Sequence, residues 1–543
     1  MKKYLIVFLF MMFVLVGCTK PVVTPEPEID EIKVSEVYDS IDILYSDLEN
    51  LNFSKEDTVS EIERIKTLYQ ELNEDEKALV TNYNNFEEIL ELYNQYLEQK
   101  AKEEAEKAKI EAAVAEAVAL AEAAIPGTSY GEKLELPSSY TSEDGVEVYI
   151  GWSTTDPYTI NTNGVVTQPR NVATRVTLTA VCRSGNVSQS INKRVAVGPL
   201  AYTELPEKPV FAYYYSNQRS LTEMERQTIN VINLSFGGID NDGNVYVNGL
   251  NNETVLQERK YGIRVCFSVQ VKEGFVKWTA TPEKREKLAQ SFVDVVEEYH
   301  FDGVDIDWEY PEGGDQIKGY VEFMKLLYSK MKKASPKYIV TSAMYGGNGV
   351  SKYNAGESYK YMDYIHLMTY DLNSADRCQH LTALGASSNG YSSVEQTVAY
   401  YLGAGIPKEK LVIGAAMYGK VYEISKTSTK FIGEKPLIEP YSILYREIRR
   451  EYLSKLDGSS ARVKVEEKWD ETAKAPYLCV TEYNTNGEIT AKKFITYDNP
   501  RSMTLKSEYV FANDLGGLMF WELGYEDREA NDLIKAIHDV FYK

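Results

Sequence analysis

Over residues 209–543, short apolar runs alternate with segments in which apolar residues recur every three or four positions. Short apolar runs bounded by turn signals indicate buried strands, and the wider spacing indicates amphipathic helices. A repeated strand–helix alternation predicts a parallel sheet, and eight such strands can close into a (β/α)8 barrel. Seven of the eight predicted strands are Val210–Tyr215, Val231–Phe236, Arg264–Val269, Tyr338–Ala343, Tyr364–Tyr370, Leu411–Met417 and Gly517–Trp521.

One connection in this region is much longer than the others. Residues 420–497 separate the last two predicted strands, and so long a loop without structure of its own would be unusual. Alternating apolar and polar positions within it predict antiparallel strands at Val463–Glu466, Tyr477–Val480 and Ile489–Ile495. We therefore expect an insertion that forms a small sheet beside the barrel.

In the N-terminal part of the chain, the spacing of the apolar residues changes from helical to alternating. Residues 30–125 carry apolar residues at helical spacing and end in a stretch rich in Ala, Glu and Lys, which predicts a helical spacer. Pro126 and Gly127 then break the helix. Residues 126–200 alternate with period two between turn signals, which predicts a small β-sandwich. A proline-containing linker at 201–208 leads to the barrel.

Two stretches of the N-terminal part resemble bacterial modules. Trp152-Ser-Thr-Thr-Asp156 and Asn163-Gly-Val-Val-Thr167 are similar to bacterial immunoglobulin-like domains. The run Leu72–Tyr83 is similar to short helical modules of bacterial surface proteins. Trp152 is expected in the core of its domain, and carbohydrate binding by that domain is the alternative.

The first residues have the pattern of an exported lipoprotein. Two lysines precede an apolar core, Tyr4–Val16, which is too short for a comfortable membrane span. The core runs into Leu-Val-Gly-Cys18, which resembles a bacterial lipoprotein signal-peptidase site. The resemblance implies that residues 1–17 are removed, that Cys18 is lipidated, and that residues 18–29 tether the protein to the extracellular face of the bacterial cell membrane. An ordinary signal peptide with an incidental cysteine is the alternative.

Composition excludes some functions. The chain has 59 basic and 81 acidic residues and a formal net charge of −22, without a basic stripe, which argues against nucleic-acid binding. This charge is compatible with a neutral polysaccharide partner. Cysteines other than Cys18 are widely scattered and form no metal-binding pattern with each other or with histidine, so we expect buried unpaired thiols, no metal and no cofactor. They are Cys182, Cys266, Cys378 and Cys479.

The fourth predicted strand of the barrel mixes apolar and acidic residues, in the run Phe301-Asp-Gly-Val-Asp-Ile-Asp-Trp-Glu-Tyr-Pro311. Because side chains alternate faces along a strand, Asp305, Asp307 and Glu309 should share one face. Buried charges need partners, so three acids on a buried face indicate a functional site. A solvent-exposed edge strand is the alternative.

These acids could supply acid–base chemistry. Glu309 comes last in the row, where the strand would meet solvent, and its acidic neighbours favour the protonated form. A carboxyl that keeps its proton near neutral pH can act as a general acid. Asp307 could bind Glu309 or a substrate group, and Asp305 could share a proton with Asp307, so that the row would titrate as a coupled set.

The spacing Asp302-x-x-Asp305-x-Asp307-x-Glu309, followed by Tyr310-Pro311, resembles the signature of the family 18 chitinases. The resemblance implies a barrel that cleaves β-1,4 bonds after N-acetylglucosamine with retention of configuration. The reaction would be substrate-assisted, an exception to the usual pair of catalytic carboxylates. Glu309 would protonate the leaving oxygen while the substrate's acetamido oxygen attacks the anomeric carbon. Asp307 would orient the acetamido group and stabilise the oxazolinium ion.

The same resemblance assigns further residues at the C-terminal strand ends. In Met368-Thr-Tyr370-Asp371, Tyr370 would hydrogen-bond the acetamido carbonyl, and Met368 and Asp371 would line the central subsite. Trp521 would form the floor beneath the sugar ring at the cleavage point. The resemblance also implies that the insertion is an α+β unit walling a deep cleft. The other residues predicted to bind substrate are Tyr213, Tyr310 and Tyr418.

One departure from the family pattern concerns the third strand. That strand usually ends Ser-x-Gly-Gly in the family, whereas this chain has Ser268-Val269-Gln270-Val271. Subsite shape and substrate length therefore stay open.

The favoured function is that of a lipid-anchored chitinase or chitooligosaccharide hydrolase. An endo-β-N-acetylglucosaminidase acting on N-glycans would use the same chemistry, and peptidoglycan is a further candidate substrate. A carbohydrate-binding protein without activity would usually have lost the acid, whereas Glu309 is present.

Overall fold

The computed structural model describes residues 28–247, 249–386 and 392–543. The predictions for Tyr4–Val16 and Cys18 lie outside these residues. Within the described ranges, no helix combines the length and apolarity needed to cross a membrane.

The N-terminal region is helical, as predicted. Its helices are α1 (Glu31–Ser46), α2 (Glu56–Glu71), α3 (Glu74–Leu79) and α4 (Tyr83–Ala123). The Asn73 side chain accepts hydrogen bonds from the first turn of α3, and Glu76 bonds back to the Asn73 backbone, so a capping box starts this short helix. Ile41, Ile62, Ile65 and Phe86 are fully buried in the core of this region.

The next region is all-β, with one five-stranded sheet in place of the two facing sheets predicted for a sandwich. Its strands are β1 (Thr128–Ser129), β2 (Ser139–Thr141), β3 (Glu147–Thr154), β4 (Thr174–Ser184) and β5 (Val187–Val197), in the order β1-β5-β4-β3-β2. Asp156 and Asn161 accept hydrogen bonds from backbone N–H groups two to four residues ahead of them. These turns fold residues 155–173 into loops and a single bridge, so no second sheet forms there. We call residues 128–200 the β region.

The C-terminal region contains the barrel and its insertion. In chain order its strands are β6 (Val210–Tyr214), β7 (Val231–Ile239), β8 (Val245–Tyr246), β9 (Arg264–Val269), β10 (Gly303–Ile306), β11 (Ile339–Tyr345), β12 (Tyr364–Met368), β13 (Leu411–Ala416), β14 (Tyr418–Ile424), β15 (Tyr441–Leu444), β16 (Val463–Asp470), β17 (Ala475–Tyr483), β18 (Ile489–Thr496) and β19 (Gly517–Trp521). Its helices are α5 (Glu223–Thr228), α6 (Asn252–Leu256), α7 (Lys272–Trp278), α8 (Pro282–Tyr299), α9 (Gly313–Ala334), α10 (Ala355–Ser358), α11 (Val394–Gly403), α12 (Tyr445–Glu451), α13 (Pro500–Ala512) and α14 (Asp532–Phe541).

Eight parallel strands close into the predicted barrel. They follow the order β6-β19-β13-β12-β11-β10-β9-β7, and β6 also pairs with β7, which completes the ring. The predicted bounds of β9 and β19 match the observed ones. Side chains such as Phe211, Cys266, Val412 and Met519 are buried together inside the ring, so the barrel interior is a packed core.

The acidic strand is shorter than the sequence suggested. β10 ends at Ile306, so Asp305 lies within the strand while Asp307 and Glu309 follow it. The Asp307 N–H still donates to the Val269 carbonyl at 3.0 Å, which carries the extended path one residue further. The last two acids therefore stand at the rim of the barrel, where chemistry occurs in this fold.

The insertion is an α+β unit, as predicted. Its antiparallel sheet has the order β15-β14-β18-β17-β16, with α12 following β15. β14 begins at Tyr418, directly after the seventh barrel strand, so the sheet of the insertion starts at the rim of the barrel.

The β region contacts the opposite, N-terminal end of the barrel strands. Asp302 directly precedes β10 and receives two hydrogen bonds from the Arg170 guanidinium, at 2.7 and 3.0 Å. Nearby, Thr159 Oγ1 lies 2.7 Å from His300 Nε2. This end of the barrel is covered by polar contacts far from the rim that carries Glu309.

Candidate active site

A cavity of about 370 Å³ opens at the C-terminal ends of the barrel strands. It collects residues that lie far apart in the chain, because parallel barrel strands end on the same side. Nine of the predicted site residues line it: Tyr213, Asp307, Glu309, Tyr310, Met368, Tyr370, Asp371, Tyr418 and Trp521. Asp305 lies beneath the cavity, and the predicted lipid anchor Cys18 is outside the described residues.

Among the acids from Asp302 to Glu309, Glu309 is the one closest to solvent. It follows Trp308, which is fully buried and stacks on Phe275 with ring centroids 5.4 Å apart. This anchor fixes the start of the rim segment, while the Glu309 side chain is half-buried. Gln270 Nε2 donates a hydrogen bond to Glu309 Oε1 at 2.6 Å. The acid is therefore accessible from the cavity and is held from one side by an amide.

Asp307 is almost fully buried, with 4% exposure. Burial, and then the negative charges of Glu309 and Asp305, raise the pKa of Asp307 well above its usual range. Its Oδ1 atom has no hydrogen-bond partner among the described residues. Asp307 thus presents a carboxyl that holds its proton more tightly than usual, with an unpaired oxygen, to the cavity it lines.

Asp305 is fully buried below Asp307 and is surrounded by hydroxyl donors. Tyr213 Oη and Ser268 Oγ donate to its Oδ2 at 2.9 and 2.7 Å, and Thr341 Oγ1 donates to its Oδ1 at 2.6 Å. His366 Nδ1 lies 2.9 Å from Tyr213 Oη. Burial lowers the pKa of His366 to about 4, so the ring is neutral near pH 7. Asp305 is thus held by three hydroxyl groups beneath the cavity, from where it contributes to the raised pKa of Asp307.

The sixth and seventh strands supply one wall. Tyr370 and Tyr418 pack edge to face with centroids 6.2 Å apart. Burial, and then the charges of Asp307 and Glu309, keep the pKa of Tyr370 well above its usual range, so its hydroxyl is a donor. Asp371 adopts a positive φ of 51° and lies 3.6 Å from Lys420 of the insertion.

Trp521 provides an aromatic floor that is wider than predicted. Phe236 stacks on it at 5.5 Å and 17°, and Tyr215 lies 6.0 Å away at 28°. Glu522 braces the tryptophan, because its buried carboxylate accepts hydrogen bonds from the backbone of Tyr215 and Gly524. Aromatic faces of this kind suit the apolar faces of sugar rings.

Several residues that line the cavity were not predicted from the sequence. Phe236, Tyr215 and Tyr345 each lie at or just after the end of a predicted strand, so their positions were the available signal. Gln270 stands out in the sequence only as a departure from the family pattern of the third strand. Its contact with Glu309 joins positions 39 residues apart and has no periodic trace in the sequence.

Asp302, although part of the same acidic run, does not belong to the cavity. It is fully buried at the other end of β10, where burial opposes its ionisation but the charges of Arg259 and Arg170 lower its pKa. The N–H of Val265 also donates to it at 2.8 Å. Asp302 is therefore a paired structural charge.

The described cysteines are buried and unpaired, as expected: Cys182, Cys266, Cys378 and Cys479. Over the ranges that the structure covers, no cluster of His, Cys, Asp or Glu could hold a metal ion.

Comparison with known proteins agrees with this geometry. Residues 210–526 match the model of "Glycosyl hydrolases family 18". The chain is 27% identical to chitinase B of Serratia marcescens over 367 residues, which is 54% of this chain and 70% of that protein. It is 30% identical to chitinase A1 of Niallia circulans over 297 residues, which is 47% of this chain and 39% of that protein.

A solved structure has the same barrel. The glycoside hydrolase family 18 N-acetylglucosaminidase from Paenibacillus barengoltzii superposes with a TM-score of 0.55 and 26% identity, covering 62% of this chain and all of the other. The predicted chitinase-like glycoside hydrolase is confirmed at this level. The family model covers more than half of the chain and includes both ends of the acidic strand, so the chain belongs to the glycosyl hydrolases family 18.

Proposed function

We propose that the protein hydrolyses β-1,4 bonds in chitin or chitooligosaccharides with retention, using the substrate's own acetamido group as the nucleophile. The observation that carries this proposal is the unpaired Oδ1 of Asp307, a buried carboxyl whose pKa is raised. A buried acceptor without a partner is costly, and an amide N–H is the donor that an N-acetylglucosamine unit brings.

The roles of the other groups follow from their positions. The sugar before the cleaved bond lies on Trp521, its acetamido N–H donates to Asp307, and Tyr370 donates to its carbonyl oxygen. Glu309, on the solvent side of Asp307, gives its proton to the leaving oxygen. The acetamido oxygen then closes on the anomeric carbon, and the charge of the oxazolinium ion is balanced by carboxylates held in a site of low polarity. Water, with Glu309 as base, opens the ring and restores the configuration.

Two measurements test this mechanism. An N-acetylglucosamine thiazoline should inhibit competitively, because it mimics the oxazoline. Proton NMR of chitotetraose cleavage should show the β-anomer as the first product. Initial release of the α-anomer, or no inhibition by the thiazoline, would contradict substrate assistance.

A second substrate class has support from the same cavity. The third strand carries Gln270 where the resemblance leads to glycine, and the acid therefore has a polar neighbour beside it. An endo-β-N-acetylglucosaminidase acting on N-glycans fits the same chemistry. Product release from chitotetraose and from a high-mannose glycoprotein, measured at equal enzyme concentration, separates the two: we expect cleavage of chitotetraose, and preference for the glycoprotein would reverse the assignment.

We also propose that the protein acts at the cell surface, held by lipid on Cys18. This rests on the sequence of the first 18 residues alone. Labelling with a palmitate analogue should mark the full chain and should be lost in Cys18→Ser, whereas equal labelling of both would contradict the anchor.

A further inference from the structure

Among the described residues outside the run Phe301–Pro311, Gln270 is the only one for which the structure gives a hydrogen bond to Glu309, the proposed acid. It stands one residue past β9, and its Nε2 lies 2.6 Å from Glu309 Oε1. Ser268, two residues earlier on the same strand, donates to Asp305 at 2.7 Å. The end of β9 therefore contacts the acidic run twice, once below the cavity and once at its rim.

We propose that Gln270 is a positioning residue for Glu309, holding the acid toward the leaving oxygen through a side-chain amide. This inference rests on the proposed function of Glu309 as the acid. An amide suits the task because it has a donor end and an acceptor end. The Nε2 end can bind Glu309 after it has given up its proton, and the Oε1 end can accept from Glu309 while the proton is present.

The surroundings of Glu309 show why such a partner matters. Asp307 is close enough to Glu309 for the two carboxyl groups to repel each other when both are charged. Tyr310, the next residue, shares a side-chain hydrogen bond with Glu309, and Lys352 Nζ lies 5.2 Å from the Tyr310 ring centroid. Lys272 is engaged by Glu312 at 2.7 Å. Without Gln270, the half-buried Glu309 side chain would keep only the contact with its chain neighbour Tyr310, and a small misplacement of a catalytic group lowers the rate strongly.

Gln270 is also exposed and lines the cavity. The leaving oxygen must come within hydrogen-bond distance of Glu309. The group attached to that oxygen therefore passes close to the Gln270 amide and covers it.

The matched variants are Gln270→Met, which keeps the volume but removes the amide, and Gln270→Gly, which removes both. The two substrates are chitotetraose, whose sugar leaving group needs protonation, and 4-methylumbelliferyl chitobioside, whose aryl leaving group departs with little help. In both variants we expect kcat/KM for chitotetraose to fall about 10-fold and that for the aryl substrate to change less than about twofold.

Each other outcome overturns the inference. An equal loss on both substrates would indicate a merely structural residue. An unchanged Gln270→Met with an impaired Gln270→Gly would indicate that volume alone matters, and no change in either variant would remove any role. Glu309→Gln, assayed in parallel, keeps the two proposals apart: its full activity on chitotetraose refutes the proposed function, whereas its inactivity beside a normal Gln270→Met refutes only the role of Gln270.

Discussion

Asp302 and Asp307 lie on the same short stretch of chain, and both are buried, yet their surroundings differ. Asp302, at the N-terminal end of β10, has two guanidinium groups and a backbone N–H around its carboxylate. Asp307, past the C-terminal end, has two acids as neighbours and one oxygen without a partner. Accordingly the pKa of Asp302 is lowered and that of Asp307 is raised.

The difference separates a structural role from a chemical one. When a buried charge is fully compensated, removing one partner destabilises the fold, because the other partner is left buried without a counter-charge. A buried acid without compensation is unfavourable for folding and is retained because a ligand completes it. The comparison therefore predicts that mutations at the rim reduce activity and mutations at the other end reduce stability.

The largest effect is expected at the rim. Glu309→Gln should lower kcat on chitotetraose by about 10²–10⁴-fold, because the amide fills the same space but cannot donate the proton. Glu312→Gln, an exposed change three residues away, is the matched control and should leave kcat unchanged. Steady-state kinetics with binding of chitotetraose by calorimetry checks this, and an active Glu309→Gln would break the comparison at once.

Asp307→Asn should have opposite effects on activity and stability. We expect kcat to fall by about 10²–10³-fold, since the amide, unlike the carboxyl, cannot release a proton and become the carboxylate that would balance the developing positive charge. A raised pKa of an acid in the folded state costs stability as the pH rises above its unfolded value, so replacing Asp307 by Asn should raise the unfolding temperature at pH 8. Calorimetry at pH 8 measures this, and a lower unfolding temperature would show that Asp307 is structurally compensated after all.

At the other end, Asp302→Asn should destabilise the protein by about 3–5 kcal/mol, because it leaves Arg170 and Arg259 buried without their counter-charge. Arg170→Met should cost less, since Arg259 Nε remains 3.5 Å from Asp302. The activity of the folded fraction should stay within about twofold in both. Thermal unfolding combined with activity assays checks the pair. A folded but inactive Arg170→Met would place this end in the catalytic machinery.

The smallest effect concerns His300, which caps α8 in the left-handed region near the contact with Thr159. Burial, and then the charge of Arg259, lower its pKa to about 4. As the pH falls, His300 takes up a proton in the unfolded chain before it does so in the folded protein. The free energy of unfolding therefore decreases between about pH 6.5 and pH 4, by on the order of 2–3 kcal/mol. His300→Asn tolerates the same backbone and cannot titrate, so it should flatten the dependence of unfolding temperature on pH in this window. An unchanged slope would assign the acid sensitivity to other groups.

The rim was predictable in part because its signals are local. Eight apolar runs predicted the barrel. The acidic residues within one of these runs predicted that Asp307 and Glu309 lie at the mouth of the barrel. The placement of Asp305 beneath the cavity was not predicted, since β10 ends earlier than the alternation of side chains suggested. Periodicity predicts the face of a side chain, but it does not predict where the strand stops.

The other end could not be predicted. Arg170 and Asp302 are separated by 132 positions, and neither alone differs from a solvated charge in the sequence. The prediction of two facing sheets also failed, because the side chains of Asp156 and Asn161 capture backbone N–H groups that a second sheet would need. Long-range pairing and local capping compete with periodic patterns, and only the folded chain shows which prevails.

The hydrogen bonds from Arg170 to Asp302 have a practical consequence for gene fusions and truncations. A polypeptide started at residue 209 would carry every rim residue and still lack the guanidinium that the preceding segment inserts beneath the fourth strand. Placing this barrel behind a foreign segment would therefore leave Asp302 with Arg259 as its remaining guanidinium partner, and should lower the stability of the barrel unless the new segment brought a second cation. The segment that precedes the barrel therefore contributes to its stability and is more than a detachable leader.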